Sequence, residues 1–231
     1  MAAEAALGEL TPGMAIGLGT GSTARHFISL LGELVAKGFA CVGVPTSQES
    51  ASQAASLGIQ LSTLADQPRL DIAVDGADEI SPGLDLIKGA GGALFREKII
   101  ATVSDRMIVI ADASKRVETL GKVPLPIEVD AFALSYVREA VTSIMQADGV
   151  SGEVRLRPGA GGKPFLTDGG HLILDAFFGR ISDTKTVGAA LKAVPGVIEH
   201  GLFLGLCSVA YVGTEGGVDI VRADVPRRHT H

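Results

Sequence analysis

At 231 residues the chain is long enough for one domain, or for a main domain with a smaller second one. Hydrophobic residues make up 46%, charged residues 20%, and mean hydropathy is +0.34; no run reaches the ~18 consecutive apolar residues of a membrane span, which excludes a membrane protein. The formal charge of −6 and pI near 5.4 argue against a nucleic-acid partner, which needs a basic face, so any phosphate bound here is expected to be small.

The opening MAAEAALGELTPG carries Glu4 and no basic segment, so no signal peptide is expected and cytoplasmic residence follows. A strand is predicted over 14–19, then the turn GLGTGSTA and an amphipathic helix over 23–37. Strand, glycine turn and helix N-terminus together form an anion site, because first-turn amides and the positive end of the helix dipole face the same ligand. Ser22 and Thr23 add hydroxyl donors. A dinucleotide fingerprint would need glycine where Ser22 stands, and an acid after the next strand, which ends in Val44, Pro45, Thr46. The P-loop pattern fails for want of its lysine. Taken alone, this turn reads equally as a packed helix cap.

A strand over 40–44 and a helix over 47–57 follow. The strand over 70–74 leads into DGADEI, which places Asp75, Asp78 and Glu79 at its carboxyl end, where ligands of open α/β sheets bind. These acids read as a turn, as acid–base groups or as Mg²⁺ ligands beside a phosphate. Lys88 then precedes a second glycine loop in KGAGGALFREKII, and a helix starts near residue 92. Steps of 100° place Glu97 among Ala93, Leu94, Ile100 and Ala101, on an apolar arc. Burial of that carboxylate raises its pKa and makes it a better base near neutrality. With a further strand over 107–111, the alternation predicts βαβ units and a parallel, Rossmann-like sheet.

Pro124 and Pro126 interrupt the pattern at VPLPIEV. A helix over 131–148, strands over 153–157 and 171–175, a helix over 183–193 and a strand over 197–203 predict a small α+β unit. SVAYVGTEGGVDIVRA returns a hairpin to the first domain. The expected division is 1–126 with 202–231 as a Rossmann-like catalytic domain, and 127–201 as the small domain. Cys41 and Cys207 read as buried hydrophobes. His229 and His231 lie in a basic tail and do not make a metal site.

Taken in order, GLGTGSTA, VPTS, DGADEI, KGAGGALFREKI, IADASK and GKVPLPIEV resemble the ribose-5-phosphate isomerases of type A over essentially the whole chain. The resemblance implies interconversion of ribose 5-phosphate and ribulose 5-phosphate, in the non-oxidative pentose phosphate pathway, without cofactor or metal. It implies a Rossmann-like domain interrupted by a ferredoxin-like one, and a homodimer or homotetramer. By motif match, Thr20, Gly21, Ser22, Thr23, Asp75, Gly76, Ala77, Asp78, Lys88, Gly89, Ala90, Gly91 and Lys122 correspond to substrate-binding residues, and Glu97 to the general base. Asp75, Asp78 and Lys88 are the groups available for ring opening, with the division among them open. KGAGG departs from the family's common KGGGA by a Gly/Ala exchange. A sugar-phosphate sensor, which has no evident need for Glu97 on an apolar arc, and a Mg²⁺-dependent phosphoryl-transfer enzyme, which would use the DGAD carboxylates as ligands, are the alternative classes.

Overall fold

The computed structural model describes residues 1–223; His229 and His231 lie outside the described residues. The chain forms two compact units. The first takes Met1–Ala77, Arg96–Lys115 and residues 205–223, and the second takes Asp78–Phe95 and Arg116–Leu204.

The first unit is built on a seven-stranded sheet in the order Gly217–Arg222, Cys207–Thr214, Met107–Asp112, Ile72–Asp75, Ala15–Leu18, Val42–Pro45, Gln60–Leu61. All neighbours pair in parallel except the final hairpin. From Ala15–Leu18 the chain moves outward through the next two strands, then returns to Ile72–Asp75 and moves outward the other way. The order therefore reverses between those two strands, and open α/β sheets bind ligands outside the carboxyl ends at such a reversal. Ala15–Leu18 and Ile72–Asp75 are buried throughout, as continuous apolar runs covered on both faces should be. Phe27, Ile28 and Leu31 of the helix Ser22–Ala36 pack with Ile16, Leu18, Ile72 and Val74 in one core. The Rossmann-like reading holds for this sheet.

The second unit holds two smaller sheets. Val197–His200, Leu125–Val129, Leu172–Ala176 and Val154–Leu156 form one, and Leu202–Phe203, Leu86–Ile87 and Glu79–Ile80 the other. Helices Leu134–Ala147 and Thr184–Lys192 supply Val137, Val141, Met145, Val187 and Leu191 to its core.

Two expectations are corrected here. The segment read as interrupted by Pro124 and Pro126 contains the strand Leu125–Val129, paired on both sides. In a strand a residue's N–H and C=O point to the same side. The Pro126 carbonyl accepts from Gly201 N, so its missing donor faces the place where the neighbouring strand ends. The strand predicted over 197–203 is two, Val197–His200 and Leu202–Phe203, in different sheets. Gly201 marks the break because a Cβ there would stand 2.3 Å from the Lys88 carbonyl oxygen. Glu79–Ile80 and Leu86–Ile87 pair with Leu202–Phe203, which draws residues 78–95 and 116–126 into the second unit.

Both cysteines are buried, and burial raises both thiols, that of Cys207 up to about 12, which disfavours the thiolate form. Among the described residues no helix is long and apolar enough to cross a membrane.

After the helix Ala2–Leu7, Glu9 accepts hydrogen bonds from the Tyr211 hydroxyl and, at 2.9 Å, from Arg106 Nη1. These bonds, Tyr211 first, hold its carboxyl below the usual 4.5. A group whose folded pKa is depressed contributes stability that is complete above its unfolded pKa and is lost as pH falls through the folded value. Thermal unfolding scanned downward from pH 4.5 should show a steeper fall in Tm for the wild type than for Glu9→Gln, and parallel curves would remove Glu9 from the acid response.

Candidate active site

In the first unit the strand Ala15–Leu18 ends at the reversal point, and Gly19 lies so close to the next strand that a Cβ would stand 2.2 Å from Asp75 Oδ1 and 2.7 Å from Asp75 Cα. Only glycine permits that approach. The Thr20 amide donates to Asp75 Oδ1 at 3.1 Å and the Gly76 amide to the same oxygen at 2.7 Å. Asp75 is 3% exposed, so these charge-assisted bonds fix its carboxylate.

Gly21, at φ 104, turns the chain into the helix Ser22–Ala36, which has no side-chain capping bond. Ser22 is exposed and Thr23 half-buried at its first turn, where the helix dipole favours an anion. Thr20 is different. Its hydroxyl donates to Ser47 Oγ at 2.8 Å and lies 2.7 Å from Thr46 Oγ1, while Ser50 Oγ donates to the Gly19 carbonyl at 2.6 Å. Its side chain braces the turn from within.

Glu97 sits in the first turn of the helix Leu94–Val103 and is 4% exposed. Leu94, Ile100 and Ala101 are buried on the same side, as the 100° stepping predicts. Ile100 packs where Gly17 has no side chain, since a Cβ there would stand 2.3 Å from Ile100 Cγ2. The helix is thereby seated on the strand Ala15–Leu18.

In the second unit Gly76 and Ala77 have been left behind and the chain continues with Asp78, whose Oδ2 accepts from the Ala90 amide at 2.9 Å. The Asp78 amide donates to the Ile87 carbonyl at 2.8 Å, just before Lys88. Lys88 is 3% exposed, its amide donates to the Gly201 carbonyl at 2.9 Å, and its Nζ lies 5.5 Å from the centroid of the Phe203 ring. Gly89 and Gly92 have positive φ, 113 and 79, and Ala90 does not. The Gly/Ala exchange in KGAGG therefore puts alanine where an ordinary backbone accepts it, and glycine where a Cβ would stand 2.4 Å from the Phe165 ring. Ala90 and Gly91 are exposed, as is Lys122.

The sequence profile of the family described as ribose 5-phosphate isomerase A (phosphoriboisomerase A) matches residues 42–217. The chain belongs to this family. A ribose-5-phosphate isomerase A of Rhodopseudomonas palustris (strain TIE-1) is 55% identical over 223 residues, 96% of each chain, and one of Bradyrhizobium diazoefficiens is 53% identical over 98% of this chain and 95% of the relative. A solved D-ribose-5-phosphate isomerase in complex with phospho-erythronic acid is 41% identical and superposes with a TM-score of 0.90 over 96% of each chain. The ribose 5-phosphate isomerase of Plasmodium falciparum, 35% identical, gives 0.91 over 96% of this chain and 97% of its own. The chain is an isomerase of ribose 5-phosphate, as its motifs implied.

For a ribose-5-phosphate isomerase A the structure adds residues that motif reading left unassigned. Arg157 pairs with Asp175, donating from Nε at 2.9 Å, and also donates from Nη1 to the Gly89 carbonyl at 2.8 Å and the Ala90 carbonyl at 3.0 Å. The glycine loop is thus held by its carbonyls from Arg157 and by an amide from Asp78. Nothing in VRLRPG signals this, because the partners lie 68 and 67 residues away. VPTS did carry a signal, and its Thr46 and Ser47 prove to be braces of the opening turn.

Gly19→Ala should displace the Asp75 carboxylate without replacing any titratable residue. Misplacement by about 1 Å costs on the order of 10²-fold, so kcat/KM for ribose 5-phosphate is expected to fall by that order. Steady-state rates at wild-type level in a folded variant would mean that the approach of Gly19 to Asp75 is not needed for turnover.

Proposed function

We propose that Glu97 is the base that carries the proton between C2 and C1 of ribose 5-phosphate. The observation that carries this reading is its burial, 4% exposed, on a helix face otherwise made of Leu94, Ile100 and Ala101. A carboxylate there is shielded from water and held by a packed helix, which suits a group that must take a proton from carbon and return part of it before exchange with solvent is complete.

Ring opening comes first. The C1 hydroxyl loses its proton, the C1 to ring-oxygen bond breaks, and the ring oxygen takes up a proton. Asp75, Asp78 and Lys88 are the groups proposed for these transfers. Glu97 then removes the C2 proton, the electron pair forms the C1–C2 double bond, and the aldehyde oxygen becomes the oxyanion of an enediolate. Lys88, with the amides of Gly89, Ala90 and Gly91, supplies positive charge and N–H donors to that oxygen. Return of the proton to C1, with C2 becoming the ketone and the C2 hydroxyl proton passing to O1, gives ribulose 5-phosphate. One-base transfer of this kind serves aldose–ketose isomerisation on unrelated folds.

For the phosphate we propose the first-turn amides and hydroxyls at Gly21, Ser22 and Thr23, and the Lys122 ammonium, with Thr20 acting through its backbone. Support comes from the exposed helix N-terminus and from the relative complexed with phospho-erythronic acid, whose phosphate and carboxylate match the two charged groups of the intermediate. No step here calls for a cofactor or metal. The resemblance supports a place in the non-oxidative pentose phosphate pathway, in the cytoplasm, as a homodimer or homotetramer.

Glu97→Gln keeps the side-chain volume and removes the base, so kcat should fall by at least the ~10²–10⁴ typical of general acid–base catalysis, with KM little changed. Steady-state kinetics settle this, and near-full kcat in the variant would move the base to Asp75 or Asp78.

A further inference from the structure

Glu79 is the acid of DGADEI to which the mechanism gives no part, yet it is 1% exposed. Its Oε2 accepts from the Gly121 amide at 2.7 Å and its Oε1 from the Val123 amide at 2.7 Å. Those two amides flank Lys122, whose own side chain is exposed. A buried carboxylate is stable only when its oxygens are hydrogen-bonded, and here the bonding partners are the peptide groups on either side of one lysine. Gly121 adds to the constraint, with φ at 112 and no room for a Cβ, which would stand 3.0 Å from the Ile181 backbone nitrogen. The same strand is stitched to the segment further back, where the Val117 amide donates to the Ile80 carbonyl at 3.0 Å.

We infer that Glu79 is a positioning residue for Lys122, fixing the backbone from which that ammonium reaches the substrate phosphate. The inference rests on the proposed role of Lys122. Asp78 and Glu79 divide their work: Asp78 accepts from the amide of Ala90, and Glu79 from the two amides that flank Lys122. One two-residue step therefore sets the glycine loop and the phosphate lysine at a defined distance, both within the second unit.

Replacing Glu79 by Gln keeps the volume but turns an NH₂ group toward one of the two amides, so one charge-assisted bond is lost and the other weakened. The quantity to measure is the preference for ribose 5-phosphate over free ribose, as the ratio of their kcat/KM values, in the wild type, Glu79→Gln, Lys122→Ala and the double variant. Glu79→Gln should lower the ratio by about tenfold or more, the worth of one such bond, and should add little to the loss already caused by Lys122→Ala. A merely structural role would lower both sugars alike and leave the ratio unchanged, which would overturn the inference. So would losses that multiply fully in the double variant, because the two residues would then act independently. A ratio unaffected by Lys122→Ala alone would locate the failure in the reading of Lys122, and the role of Glu79 would fall with it. If Glu79→Gln does not fold, Glu79→Asp keeps the charge but is one methylene too short to span both amides, and the same loss of ratio is expected from it.

Discussion

Asp75 Oδ1 receives the amides of Thr20 and Gly76, and this single carboxylate oxygen ties the loop after one strand to the loop after its parallel neighbour. Much of the first unit answers to that constraint. The approach requires glycine at 19, the two strands must be adjacent and parallel, and the order of the sheet must reverse between them. The hydroxyls of Thr46, Ser47 and Ser50 hold the turn from the other side. A carboxylate so held keeps its place while the helix beginning at Ser22 directs its positive end outward.

The second unit reaches the same kind of rigidity by other means. Its catalytic candidates lie on loops, and each loop is held by backbone bonds to buried or half-buried side chains: Asp78 and Arg157 for residues 88–91, Glu79 for residues 121–123. Desolvating a carboxylate or a guanidinium is costly unless its hydrogen bonds are made. The Arg157–Asp175 pair, with the Gly89 and Ala90 carbonyls as further acceptors, meets that condition. Loops of this type supply N–H donors at defined positions, which is what stabilisation of an enediolate oxygen requires.

How much of this was legible depended on the range of the interaction. The Rossmann-like alternation, the final hairpin and the buried face of Glu97 follow from local periodicity, and Leu94, Ile100 and Ala101 confirm the last. Pro126 misled because proline's effect on a strand depends on which neighbour its missing N–H faces, and that is a tertiary fact. Gly201 was hidden in an apolar run for the same reason, since the Lys88 carbonyl that excludes a side chain is 113 residues earlier in the chain. Arg157 and Glu79 act on backbone groups, which have no sequence signature. Thr20 was identified as a site residue, but the direction of its hydroxyl was set by VPTS, more than twenty residues on.

The central claim is that Glu97 moves one proton between adjacent carbons of the sugar. Ribose 5-phosphate deuterated at C2, turned over in ordinary water and followed by NMR, tests it directly. The account predicts that the wild type delivers a measurable share of the deuterium to C1 of ribulose 5-phosphate, and that Glu97→Gln abolishes both this transfer and the loss of deuterium to solvent. Continued loss of C2 deuterium to solvent in the Glu97→Gln protein would contradict it, because another group would then be removing the proton.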